Sequence, residues 1–263
     1  EPLRPADARF LLEFLASKAK APHDFKGALA AFDARPPDLR LIPYLSPVLA
    51  RRRDLEATLR ARRIAYEHAP GVSRVLGEYV GALCQSDPQR ALELVRSSTS
   101  DHPTLQRNHA VLEASDGDAA RACSLYEALL ARAPEDWALH NNLAFLLVEL
   151  GRAEEALEHA NLAASHQRNA ESLDTLGWAL DHLERYAEAE EQLRESLELA
   201  PPTASTQRLH LCATLLARGR REEAQVQLRY AELLLPIAEG ELRGRDLERL
   251  RALAARLRRE LGT

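Results

Sequence analysis

Apolar positions along the chain fall into helix-spaced segments of about 12 to 15 residues, separated by Pro134, Gly151, Pro201 with Pro202, Gly219 and Pro236. Proline and glycine at such intervals end helices, so the pattern predicts short helices joined as hairpins. Ala, Leu, Arg and Glu dominate, all strong helix formers. The β-branched and aromatic runs that strands need are missing.

The segments repeat. The stretches "WALHNNLAFLLVELGRAEEALEHANLAASHQ" from Trp137 and "AESLDTLGWALDHLERYAEAEEQLRESLELAP" from Ala170 align leucines, a small residue, a loop and an alanine in register. The alanines that follow each loop are Ala57, Ala91, Ala122, Ala156, Ala189 and Ala224, with separations of 34, 31, 34, 33 and 35 residues. Such a period marks stacked helical hairpins, each burying its apolar face against the next.

These residues resemble the tetratricopeptide repeat, whose pattern is W-x2-L-G-x2-Y, then A-x3-F, then P. Leu173, Leu176, Gly177, Leu180, Ala189, Leu193 and Pro201 take those places in one repeat. Leu143, Ala144, Leu147, Ala156 and Ala160 take them in the repeat before, and Leu211, Cys212, Leu215, Ala224, Leu228 and Pro236 in the one after. Upstream the pattern weakens but keeps phase through Ala110, Ala122, Tyr126 and Pro134, and through Ala82, Ala91, Val95 and Pro103. The expected fold is an all-α, right-handed α-α superhelix, a solenoid of about six hairpins. Residues 1–37, with Phe10, Phe14, Phe25 and Phe32, form a degenerate hairpin, 38–236 the array (strongest over 103–236) and 237–263 a capping helix.

That last segment, "GRDLERLRALAARLRRELG", sets Leu247, Leu250, Leu253, Leu257 and Leu261 on one stripe, with arginines elsewhere. An amphipathic helix can end a repeat stack without exposing its core. The alternative is a helix that lies on a membrane surface or on a partner.

Charge changes the picture along the chain. The net charge of −5 hides a middle third, residues 101–200, with 20 acids against 7 arginines, between ends that are each net +4. That excludes a nucleic-acid partner for the central region and favours a basic ligand. Arg51, Arg52, Arg53, Arg60, Arg62 and Arg63 form a basic cluster without interleaved aromatics, which reads as a solvated face, with an anion, an acidic partner or RNA as the alternative. The acid pairs Glu154 with Glu155 and Glu190 with Glu191 also read as solvated.

Candidate chemistry is sparse. No HExxH, GxSxG, GxxxxGK or GxGxxG motif is present, and none of the nine histidines lies four residues from another. Cys84, Cys123 and Cys212 are odd in number and lack a CxxC pair, so they predict buried free thiols in a reducing compartment. The reading is therefore of a protein without catalytic residues, metal or cofactor. The longest apolar run, "LAFLLV", is too short to span a bilayer. A start at Glu1 and the lack of any Met suggest a processed or truncated form, with any targeting signal or lipid anchor upstream.

The resemblance implies binding instead. In this family the first helices of successive hairpins line a concave groove that holds a peptide or a partner helix. At matched positions the groove would show Arg107, Asn108, Asn141, Asn142, Phe145, Asp174, Thr175, Trp178, His182 and His210. Asn142 stands where many members keep an amide for a ligand backbone. Phe145 and Trp178 correspond in adjacent repeats and read as an exposed recognition pair, the alternative being that both pack on a neighbouring helix. The clamp that some members use for a C-terminal carboxylate finds only Arg107 and Asn142 here, with Val111, Glu171 and Thr175 in its other places.

Gly177 within "SLDTLGWALDH" costs a helix interior about 1 kcal/mol against Ala. The repeat pattern explains it as a place where two helices must come close. The functional expectation is a scaffold that binds a protein or peptide in its groove. The repeat phrases resemble those of bacterial members associated with the cell envelope or polysaccharide export, which places the chain in a bacterial cytoplasm or periplasm. A regulatory or substrate-recruiting part of a larger enzyme, and self-association through a terminal repeat, are the other readings.

Overall fold

The computed structural model describes residues 55–68, 71–241 and 244–262, which form twelve helices with no strand among them. They are α1 (Leu55–His68), α2 (Ser73–Ser86), α3 (Pro88–Ser97), α4 (Pro103–Asp116), α5 (Ala119–Leu130) and α6 (Trp137–Glu149), then α7 (Ala153–His166), α8 (Ala170–His182), α9 (Tyr186–Leu199), α10 (Ser205–Ala217), α11 (Arg221–Glu241) and α12 (Gly244–Leu261). The hairpin expected in residues 1–37, the start of the unit at 38–70, and Arg51, Arg52 and Arg53 lie outside the described residues. Two compact units divide the chain, Glu1–His109 and Ala110–Thr263, with the boundary inside α4.

In the first unit α2 packs on both α1 and α3. The Asp87 side chain accepts from the Arg90 N–H at the start of α3, and Pro88 fills the first helical position, where its missing N–H costs nothing. Of the basic cluster, Arg60 and Arg63 are exposed and Arg62 is half-buried, and Arg63 faces Glu67 at 3.8 Å.

The second unit is an all-α helical-repeat solenoid. Its hairpins α6/α7, α8/α9 and α10/α11 pack pairwise, and the first helices α6, α8 and α10 lie side by side. The register alanines Ala122, Ala156, Ala189 and Ala224 are fully buried, as is Ala91 in the first unit. Each hairpin turn closes in the same way. Gly151, Glu184 and Gly219 take left-handed φ of +74°, +60° and +75°. The next N–H, of Arg152, Arg185 or Arg220, reaches back to Leu147, Leu180 or Leu215. This closes the helix end in Schellman fashion. Those arginines then pair with Glu155, Glu188 and Glu223 three residues on.

Glu184 is the one side chain in this set at a backbone conformation that disfavours a Cβ by about 1 kcal/mol. Glu184→Gly is therefore expected to stabilise the chain by up to about 1 kcal/mol, seen as a higher urea midpoint. A lower midpoint would show that the Glu184 side chain outweighs the strain.

Small residues sit where paired helices cross. Ala144, Gly177 and Cys212 take the same place in α6, α8 and α10, and Ala144 and Cys212 are fully buried. Cys212 donates to the Ala224 carbonyl at 3.2 Å, and burial pushes its thiol up to about 12. A Cβ on Gly177 would lie 2.5 Å from Leu193 Cγ and 3.2 Å from the Ala189 carbonyl oxygen.

Two polar clusters join elements. The His140 Nε2–H donates to the Pro134 carbonyl at 2.9 Å, which leaves its Nδ1 to accept from His159 Nδ1–H, also at 2.9 Å. Burial, then His140, holds His159 below the usual imidazole range. Glu190 corrects the expectation of a solvated acid pair: it is 2% exposed and accepts from Arg194, Arg218 and Arg220. Two of these arginines come from the next hairpin's turn, which a single repeat's sequence does not reveal. Glu154 and Glu155 are exposed, as is Glu191.

Candidate functional site

Successive turns of α6 and α8 present Asn141, Asn142 and Phe145, then Asp174, Thr175, Trp178 and His182, to one face of the second unit, and α10 adds His210. All eight line one cavity of about 700 Å3, a volume in the range of ligand sites. The other two expected residues, Arg107 and Asn108, belong to the first unit. There Asn108 Nδ2 donates to the Gly77 carbonyl at 2.9 Å, so that amide is engaged with its own backbone.

The centre of the site is an aromatic stack. Trp178 lies parallel to His210, with ring centroids 4.1 Å apart and planes 13° apart, and meets His182 edge-on at 4.4 Å. His210 is fixed from its other side by donating Nδ1–H to Asp174 Oδ1 at 2.9 Å. His182 donates to the Trp178 carbonyl at 3.0 Å. Phe145 stands 6.5 Å from His210, half-buried, with Asn142 exposed beside it.

Trp178 is only 6% exposed, which corrects the expectation of an exposed aromatic pair. The helical register turns it toward this face, but imidazoles from α8 and α10 cover it. Two buried polar atoms among the lining residues, Trp178 Nε1 and Asn141 Oδ1, have no hydrogen-bond partner. Such atoms are rare in folded proteins.

Acids line the cavity through Glu149, Glu171 and Asp174. Nearby, burial raises the Asp181 carboxyl above its usual range, and the Thr214 hydroxyl, donating at 2.7 Å, offsets part of that. The positive side comes from Arg249 and Arg256 of α12, which line the cavity with Leu250 and Leu253. Sequence reasoning missed this wall because it read α12 as an end cap or as a helix for a membrane or a partner, not as a lining of the groove. The spacing of Arg249 and Arg256, seven residues apart beside the leucine stripe, was the available signal.

Among the described residues no group of three or more His, Cys, Asp or Glu is placed to hold a metal ion. No described helix is long and apolar enough to cross a membrane.

Family models described as tetratricopeptide repeat match residues 113–180 and 170–202. No curated protein matches the chain in sequence. Among solved structures, a tetratricopeptide repeat protein from Parabacteroides merdae superposes with a TM-score of 0.59 at 15% identity, over 82% of this chain and 98% of that one. A chain of the APC/C hetero-tetramer Cut9-Hcn1 gives 0.59 at 13% identity, over 92% of this chain and 48% of that one. A MamA RS-1 variant gives 0.51 at 16%, over 64% and 96%. At these identities the likeness is one of fold. Taken with the in-register hairpins and the two family matches, it identifies residues 113–202 as tetratricopeptide repeats within an all-α helical-repeat solenoid.

Proposed function

We propose that this chain is a non-catalytic scaffold that holds a peptide, or a segment of a partner protein, in the cavity on the α6–α8–α10 face. The observation that carries this reading is the lining itself: exposed Asn142 and half-buried Phe145 beside a 700 Å3 space with two unpartnered polar atoms at its wall. Polar groups of a bound segment can pair with this wall of amides and hydroxyls. The aromatic surface of Phe145 offers an anchor for one apolar side chain. An assembly of the bacterial cell envelope is the setting that the repeat phrases suggest.

The test is selection of a displayed random-peptide library on the full chain, followed by titration of the recovered peptides. Changing Asn142→Ala together with Phe145→Leu is expected to weaken binding at least tenfold, about 1.4 kcal/mol, while leaving the urea midpoint close to wild type. A library that yields no binder, or binders indifferent to both changes, overturns the reading.

A further inference from the structure

The face built from α6, α8 and α10 is already partly occupied, and the occupant belongs to the chain. Helix α12 packs on α10 and α11, but its first half extends further. Arg249 Nε lies 3.1 Å from Oε2 of Glu149, the last residue of α6. One helical heptad on, Arg256 lines the same cavity and pairs along its own helix with Glu260 at 3.6 Å. Thus one arginine of α12 pairs with the acid that ends α6, and a second, seven residues on, lines the same cavity. The end of α6 carries the negative pole of the helix dipole as well as the Glu149 carboxylate, so it selects for a cation twice over.

The two halves of α12 are held differently. Leu257 and Leu261 are buried at 1% and 2% exposure, Arg258 pairs with Glu232 of α11, and Arg221 donates to the Glu260 carbonyl. That half seals the end of the core. The first half sits against the cavity through Arg249, Leu250 and Leu253, with Leu250 buried, Leu253 half-buried and the Arg249–Glu149 pair about one quarter exposed at each side chain. It borders the open volume of the cavity.

We propose that this surface is a receptor for a basic amphipathic helix, that α12 is its resident ligand, and that a partner helix of the same pattern competes for the seat. The pattern is leucines at i, i+3 and i+7, as at 250, 253 and 257, flanked by arginines seven residues apart. The inference rests on reading the cavity as a binding groove and names the chemistry of what enters it. The surplus of 20 acids over 7 arginines across residues 101–200 favours such a helix over an acidic one. A tethered helix acts at an effective concentration in the millimolar range, so the resident helix sets a threshold that a partner must exceed.

The probe is a fluorescein-labelled peptide of residues 244–262, followed by anisotropy against full-length chains. Wild type is expected to bind it at least tenfold more weakly than the Arg249→Glu chain, whose own helix is repelled by Glu149. The Glu149→Arg chain is expected to prefer a peptide carrying Arg249→Glu by a similar factor. Leu253→Asp, at a half-buried position, loosens the same half without touching the ion pair and gives a second receptor. Equal binding to wild type and both loosened chains, or a charge reversal that does not transfer preference, overturns the proposal. If the library peptides still depend on Asn142 and Phe145, only the role of α12 falls. If they do not, the groove falls with it.

Discussion

Trp178→Ala is expected to destabilise the chain by about 3 kcal/mol, the lower end of the range for removing a buried large aromatic. The indole is 6% exposed and stacked on His210 at 4.1 Å, so its removal takes away apolar burial and a ring-on-ring contact together. The lower end applies for two reasons. No hydrogen bond is lost, because Nε1 has no partner. The space left behind also adjoins the 700 Å3 cavity, so water can enter it instead of leaving a void. Urea unfolding followed by circular dichroism measures this directly, with Trp178→Phe expected to recover part of the loss. A Trp178→Ala chain as stable as wild type would show that the indole is not packed as described. Trp178 thus supports the cavity wall from beneath, and in the proposed binding mode ligand contact falls to Phe145 and Asn142.

Trp178 also shows where sequence reasoning ended. Its register in the repeat gave the face it points to, because the 33-residue offset from Phe145 is a property of the chain alone. What covers that face is not, since His210 arrives from the next hairpin and Arg249 and Leu253 from α12. Glu190 follows the same rule, an acid on an ordinary charged helix whose neutralising arginines lie up to 30 residues away. Features set within one hairpin were legible: the buried alanines, the turn positions at Gly151 and Gly219, and the small residues at the helix crossings. Features set between hairpins were not, because the repeat pattern fixes only the geometry of the contact and leaves its chemistry free. Asn108 is an intermediate case, correctly placed on a first helix but with its amide turned to the Gly77 carbonyl.

Gly177 tests whether the legible part was read for the right reason. Intrinsic propensity alone predicts that Gly177→Ala stabilises α8 by about 1 kcal/mol. The packing predicts the reverse. A methyl group there meets Leu193 at 2.5 Å and 2.9 Å, and Leu193 is fully buried. Overpacking of this kind costs about 1–3 kcal/mol, so Gly177→Ala is expected to destabilise the chain by about 1–2 kcal/mol net. Removing the obstacle should reverse the sign. Leu193→Ala alone loses about 2–5 kcal/mol through the cavity it makes. In that background Gly177→Ala is expected to stabilise by about 1 kcal/mol, since its methyl then fills space while its helix propensity is retained. The coupling between the two positions, read from a double-mutant cycle in urea, is thus about 2–3 kcal/mol. Additive effects, or a gain from Gly177→Ala in both backgrounds, would mean that α8 and α9 are not held at this separation. The close approach would then not be the reason the helix carries a glycine.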